Sequence, residues 1–151
     1  MIRAIIMAFC LVVASATGAH AFLGFGGKYE QVKADKGVVR VAAASVTDTA
    51  RFYKYEQDGK TVRFFLVKDG AGKLHAAFDA CDVCFREGKG YEQDGPNMRC
   101  VNCGMKFNTA RVGDVKGGCN PSPLAFTLEG ASIAIAADTL MQGARLFPAG
   151  K

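Results

Sequence analysis

Hydrophobic and polar positions change pattern several times along the chain. Val39 to Val46 begins with alternation and then becomes Ala-rich. Arg51 to Tyr55 is aromatic and predicts a strand. Thr61 to Val67 (TVRFFLV) is dense in β-branched and aromatic residues and predicts a buried strand. Leu74 to Asp79 (LHAAFD) predicts a third. Between them lie Gln57-Asp58-Gly59-Lys60, whose Asp-Gly pair tolerates positive φ, and the turn Asp69-Gly70-Ala71-Gly72. Three strands joined by such short turns form an antiparallel meander.

From Cys81 to Cys119 the pattern lapses. This stretch is rich in Gly and polar residues and poor in aliphatics, with Tyr91 to Pro96 as a strand edge leading into a turn. A segment of that composition cannot pack a core by itself and needs a staple. Asn120-Pro121-Ser122-Pro123 is a rigid irregular stretch. Beyond it come Phe126 to Leu128, a strand over Ser132 to Ala136, and a short helix running through Ala144 with Asp138 as N-cap. The fold class expected is α+β: a mostly antiparallel β meander, a cysteine-rich zinc-ribbon- or rubredoxin-like insertion, and a short C-terminal helix.

The first 21 residues belong to none of this. Arg3 supplies a positive start, Ala4 to Ala14 an apolar run, and Ala19-His20-Ala21 the small residues of a cleavage site, which together make a secretory signal. The run is too short to span about 30 Å of hydrocarbon as a helix. Phe9 before Cys10 does not fit a lipoprotein cleavage site, and no twin-arginine pair precedes the run, so export in the unfolded state is expected. The resulting division is a signal peptide at 1–21, a linker and N-terminal segment at 22–38 that starts with the Gly/Phe stretch Phe22 to Gly27, and a cysteine-rich metal-binding domain at 39–151. The expected location is periplasmic or secreted.

Composition narrows the function. The chain has 151 residues, 50% of them hydrophobic and 22% charged, which suits one domain with a real core and excludes a disordered chain. No apolar run approaches the roughly 18 residues of a membrane span. The formal charge of +5 is mild and its basic residues are scattered, so no nucleic-acid partner is expected. Of the 6 cysteines and 2 histidines, cleavage removes Cys10 and His20. The odd set of five cysteines left behind cannot be satisfied by disulfides within one chain.

Four of these five form two C-x-x-C pairs, Cys81-Asp82-Val83-Cys84 and Cys100-Val101-Asn102-Cys103, with fifteen residues between them. A C-x-x-C turn places two thiolates on one side of a tight loop. Two such turns joined by a hairpin can complete four ligands at about 2.3 Å around zinc. Gly104 can take positive φ and aim backbone amides at the second pair of sulfurs. The first pair is followed by Phe85, so its turn opens a short helix instead. Two structural disulfides, a working dithiol and a purely structural zinc remain alternatives.

Cys119 follows Cys103 after a second gap of fifteen residues, in Gly117-Gly118-Cys119-Asn120-Pro121. It can bridge a second ion, replace a ligand, or stay a buried small hydrophobe. His75 and Asp79 share a face of an extended strand. His75 would then lie about 20 Å from Cys81, too far to share an ion, and is expected to be an exposed strand histidine. Met98 and Met105 flank the second pair and are expected to pack, although both are soft ligands suited to Cu(I). Asp82, Arg86, Glu87 and Lys89 are expected to be solvated loop charges. No Ser/His/Asp set, H-E-x-x-H or phosphate loop is present, and an enzyme is not expected.

The stretch DACDVCFREGKGYEQDGPNMRCVNCGMKF, Asp79 to Phe107, resembles the C-terminal domain of FtrD-like membrane iron–sulfur proteins. The resemblance extends to GGCNPSPL (Gly117 to Leu124), to the preceding VRFFLVKDGAGKLHAAFD and to a helical tail ending in Ala144-Arg145, and covers roughly residues 60 to 147. The resemblance implies a link to bacterial ferrous iron uptake, in which a periplasmic metal-binding protein, a cupredoxin-like protein and a permease act together and the FtrD-like member handles electrons. It also implies that Cys81, Cys84, Cys100, Cys103 and Cys119 are metal or cluster positions. Larger members of the family carry several membrane spans and additional ferredoxin-like cysteines. An iron–sulfur cluster is the cofactor implied by the resemblance. Zinc, copper or a single iron in a rubredoxin-like site suits a chain that acquires its metal after export.

The function expected is thus an exported metal-binding accessory protein for iron or copper transport or electron delivery. Its partners would be a membrane metal transporter or that transporter's periplasmic components, with peripheral membrane contact. A thiol–disulfide redox protein and a small domain with a purely structural zinc are the alternatives.

Overall fold

A computed structural model describes residues 27–148. The expected signal sequence, Cys10 and nearly all of the expected Gly/Phe linker lie outside the described residues. In chain order the strands are β1 (Tyr29–Val32), β2 (Ala34–Asp35), β3 (Val38–Ala42), β4 (Arg51–Gln57), β5 (Lys60–Lys68) and β6 (Leu74–Phe78). They continue with β7 (Tyr91–Asp94), β8 (Asn97–Cys100), β9 (Lys106–Asn108), β10 (Thr127–Glu129) and β11 (Ser132–Ala136), and helix α1 (Ala137–Gln142) follows.

Among the described residues three sheets form, ordered β1-β4-β5-β6, β10-β11-β3-β2 and β7-β8-β9. The antiparallel meander β4-β5-β6 is as expected, and its first turn uses positive φ at Asp58 (51°) and Gly59 (70°) between paired Gln57 and Lys60. Strand β1 lies outside the meander and runs parallel to β4, pairing Tyr29 with Phe52. A parallel pair needs a long connection, and here that connection passes through β2 and β3 in the second sheet. The described part of 22–38 therefore contributes strands to two sheets. Its polar tetrapeptide YEQV is too short to show a period.

The continuous apolar run in β5 has a simple cause: both faces of the strand are covered. Successive side chains on a strand point to opposite faces. Val62, Phe64 and Leu66 join Val39, Val41, Ile133, Ile135, Leu140 and Leu146 in one core, against the second sheet and α1. Phe65 and Val67 join Ala77, Tyr91, Met98, Val112 and the thiols of Cys81 and Cys100 in another. The cysteine-rich segment thus packs no core alone. It shares one with the back of the meander.

Two expectations are corrected. His75 is buried rather than exposed, because Val67 lies beside it and the Val112 loop covers it. Its Nδ1 meets the Val112 carbonyl at 2.8 Å and its Nε2 meets Asp69 Oδ2 at 2.9 Å. Asp138 is not the N-cap; that position is Ala136, and Asp138 sits in the first turn. The helix starts directly from β11 because the Ala137 amide donates to the Gly37 carbonyl at 2.8 Å. After α1 the chain tightens into a 3-10 turn over Gly143–Leu146.

Phe65 is fully buried in the core that carries the cysteines. Phe65→Ala is expected to cost about 3–5 kcal/mol in urea unfolding. The hydrogen bond from His75 holds the Asp69 carboxyl below the usual carboxylate range, with the Lys73 and Ala71 amides adding to it. A depressed folded value adds stability above the ordinary carboxylate pKa of about 4, and that stability is lost as pH falls through the folded value. The stability gap between the wild type and Asp69→Asn should accordingly be full near neutrality and shrink in acid. A gap that does not vary with pH would contradict this.

Candidate metal centre

Three chain segments deliver the cysteines. The first follows β6. Cys81 and Cys84 close a tight turn in which the Cys84 amide donates to Cys81 Sγ at 3.1 Å. The turn opens a 3-10 helix over Phe85–Glu87, as the absence of a following glycine suggested. The second segment is the loop between β8 and β9. Cys100 is paired across the β7–β8 hairpin with Tyr91. The loop is closed by Cys100 N donating to Met105 O and Gly104 N to Cys100 O, both at 2.9 Å. Gly104 takes φ +76°, which a side chain would strain.

The third segment carries Cys119, and its placement depends on the residues that follow. Ser122 N donates to Ala80 O at 3.0 Å, Phe78 N to Ser122 O at 2.8 Å, and Leu124 N to Ala76 O at 3.3 Å. Pro121 and Pro123 occupy the alternate positions, where no donor toward β6 is needed. The Asn-Pro-Ser-Pro stretch is therefore an extended segment zipped onto the free edge of β6. It brings Cys119 back beside the turn that starts at Cys81.

All five sulfurs converge, in two sets. Cys81, Cys84 and Cys100 lie with their sulfurs mutually within 4.8 Å, and so do Cys84, Cys103 and Cys119. The expected Cys81/Cys84/Cys100/Cys103 set spans both groups, with Cys84 common to them and Cys100 and Cys103 interacting between them, and Cys119 joins it. Cys84 Sγ and Cys119 Sγ are 3.9 Å apart. Two sulfurs on one tetrahedral ion with 2.3 Å bonds are separated by about 3.8 Å. The sets also differ in depth: Cys81 and Cys100 are buried, Cys84 and Cys119 half-buried, and Cys103 exposed. All five are free thiols. His75 and Asp79 belong to neither set.

Burial pushes the Cys100 thiol up to about 11. Burial, reinforced by Cys103 and Cys84, pushes Cys119 up to about 12. The Met105 amide holds Cys103 below the ordinary thiol value. A soft cation bound here displaces thiol protons, so its apparent affinity rises with pH. The chemistry of five thiolates fits zinc, Cu(I), iron or an iron–sulfur cluster.

A buried carboxylate paired with a partly exposed lysine stands behind the sulfurs, two residues before Cys81. Asp79 is fully buried. It accepts from Lys28 Nζ at 2.9 Å, Tyr29 Oη at 2.5 Å and Tyr91 N at 2.6 Å. Burial raises its pKa, and Lys28 opposes that shift. Gly90 passes so close that a Cβ there would overlap the Asp79 carboxylate. Tyr91 Oη in turn donates to the Cys119 carbonyl at 2.6 Å. A cavity of about 10 Å³, room for one water, lies among Arg63, Asp79, Cys81, Cys84, Tyr91 and Cys100. Sequence reading missed the roles of Lys28, Tyr29 and Tyr91. The one available signal was a carboxylate directly after an apolar strand.

Met98 is fully buried, as expected, but Met105 is 53% exposed rather than packed, because it follows the glycine that turns the chain outward. Val83 and Val101, inside the two C-x-x-C turns, are exposed as well.

The family model described as "Membrane iron-sulfur containing protein FtrD-like" matches residues 46–147. The chain belongs to this family. No curated protein matches it. Among the described residues of this FtrD-like chain, no helix is long and apolar enough to cross a membrane.

Asp79→Ala would leave the Tyr29 hydroxyl and the Tyr91 amide without their acceptor and take one of two partners from Lys28. We expect a loss of about 2–3 kcal/mol in denaturant unfolding, from hydrogen bonds to a charged group, with Asp79→Asn losing less. Equal stability of the wild type and Asp79→Ala would remove the anchoring role.

Proposed function

We propose that this FtrD-like protein is an exported metal-binding accessory protein, with Cys81, Cys84, Cys100, Cys103 and Cys119 as its ligands. The convergence of five free thiols from three separate segments carries the reading. Structural disulfides would not call for five thiols at one place. The paired turns around the β7–β8 hairpin and the loop before β9 have the logic of a zinc-ribbon- or rubredoxin-like knuckle, in which backbone amides face the sulfurs.

The resident group is a thiophilic ion, zinc, iron or copper, or an iron–sulfur cluster as the family description suggests. A bound thiolate metal supplies charge neutralisation and, with iron or copper, one-electron chemistry. The protein's own residues fix the sulfurs: Asp79 and Tyr91 hold the backbone on either side, and the Gly104 turn aims amides at Cys100 and Cys103. The setting proposed is periplasmic or secreted. The partner proposed is a membrane iron or metal transporter or its periplasmic components, met with peripheral membrane contact and without nucleic acid. The exposed Val83, Val101 and Met105 beside the sulfurs support a contact face there. A dithiol oxidoreductase is the weaker reading, because neither C-x-x-C pair among the described residues opens more than a single 3-10 turn, short of the helix N-terminus that activates such thiols.

Elemental analysis and acid-labile sulfide measurement on protein isolated from the periplasm test the proposal. At least about one equivalent of zinc, iron or copper per chain is expected. A metal-free protein with its thiols blocked as disulfides would overturn it, as would retention of the chain in the cytoplasm.

A further inference from the structure

The two sulfur sets have one member in common. Cys84 belongs with Cys81 and Cys100 on the buried side and with Cys103 and Cys119 on the exposed side. A single tetrahedral ion needs four sulfurs and leaves the fifth idle. Yet the fold commits an extended segment, three backbone hydrogen bonds to β6 and the Tyr91–Cys119 bond to bring that fifth sulfur within 3.9 Å of Cys84. Two sets of three sharing a corner is the arrangement of two ions linked through one thiolate.

Resting on the metal-binding reading above, we propose that the site holds two thiophilic ions bridged by Cys84. Cys81 and Cys100 complete the inner position, and Cys103 and Cys119 the outer one. Each ion has three protein sulfurs. That number suits trigonal Cu(I) as it stands, and leaves zinc or iron(II) one further position for an exogenous donor. Each thiol that binds releases its proton to solvent, and no electron is exchanged. The two positions differ in access. The inner sulfurs other than Cys84 are 1–2% exposed, whereas Cys103 lies at the surface. The inner ion is retained and the outer one exchanges, which makes the outer position the one that hands metal to a partner.

Titration of the reduced full chain with Co²⁺ alone tests this. Thiolate-to-cobalt absorption should grow to two equivalents. The cobalt paramagnetic resonance per ion should fall as the second equivalent enters, because the ions couple through the shared sulfur. A chelator wash should then remove one equivalent and leave the other. Cys119→Ser and, at the exposed position, Cys103→Ser should each bind one equivalent that resists the wash. Cys84→Ser should show no coupling at any loading. Saturation at one equivalent in both the wild type and Cys119→Ser would overturn the bridge while leaving the metal-binding reading intact. So would two equivalents with independent resonance signals, or acid-labile sulfide in the isolated protein. Absence of cobalt binding by the reduced wild type would sink both readings.

Discussion

Strand β6 is hydrogen-bonded on one side to β5 and on the other to the extended segment after Cys119. Cys81 follows three residues after that strand ends, and the amide of Ser122 meets the carbonyl of Ala80 immediately before it. Without that edge pairing, a chain of glycines and polar residues would have no reason to return to the site. Backbone hydrogen bonds and two prolines spaced to leave the donors free do what a short hydrophobic segment could not.

The same strand sets the electrostatic cost of the site. Asp79 is fully buried one step past β6, where an unpaired carboxylate would be expensive. Lys28, Tyr29 and the Tyr91 amide offset that cost, and Gly90 leaves the room. The N-terminal strand and the hairpin are thereby tied to one carboxylate, and the Tyr91 hydroxyl ties the Cys119 loop to the hairpin. Anchoring of this kind fixes the backbone on either side of the first pair of sulfurs.

Depth gives the centre a direction. Thiols nearest the Phe65 core are sealed and those nearest the loop tips are open, with Val83, Val101 and Met105 around them. The first group therefore faces the interior and the second faces solvent.

The meander, its Asp-Gly turn, strand β11 and the paired cysteines were all legible in the sequence, because each is encoded within a few neighbouring residues. The short stretch YEQV, the burial of His75, the start of α1 and the carboxylate anchor were not, since each depends on a contact between residues far apart in the chain. Sequence alone determined which residue types can hold a soft ion and how each turn presents its pair. Tertiary structure decided how five sulfurs divide into two sets, because Cys119 reaches Cys84 through pairing with β6, and a hydrogen bond between distant backbones leaves no periodic trace in the chain.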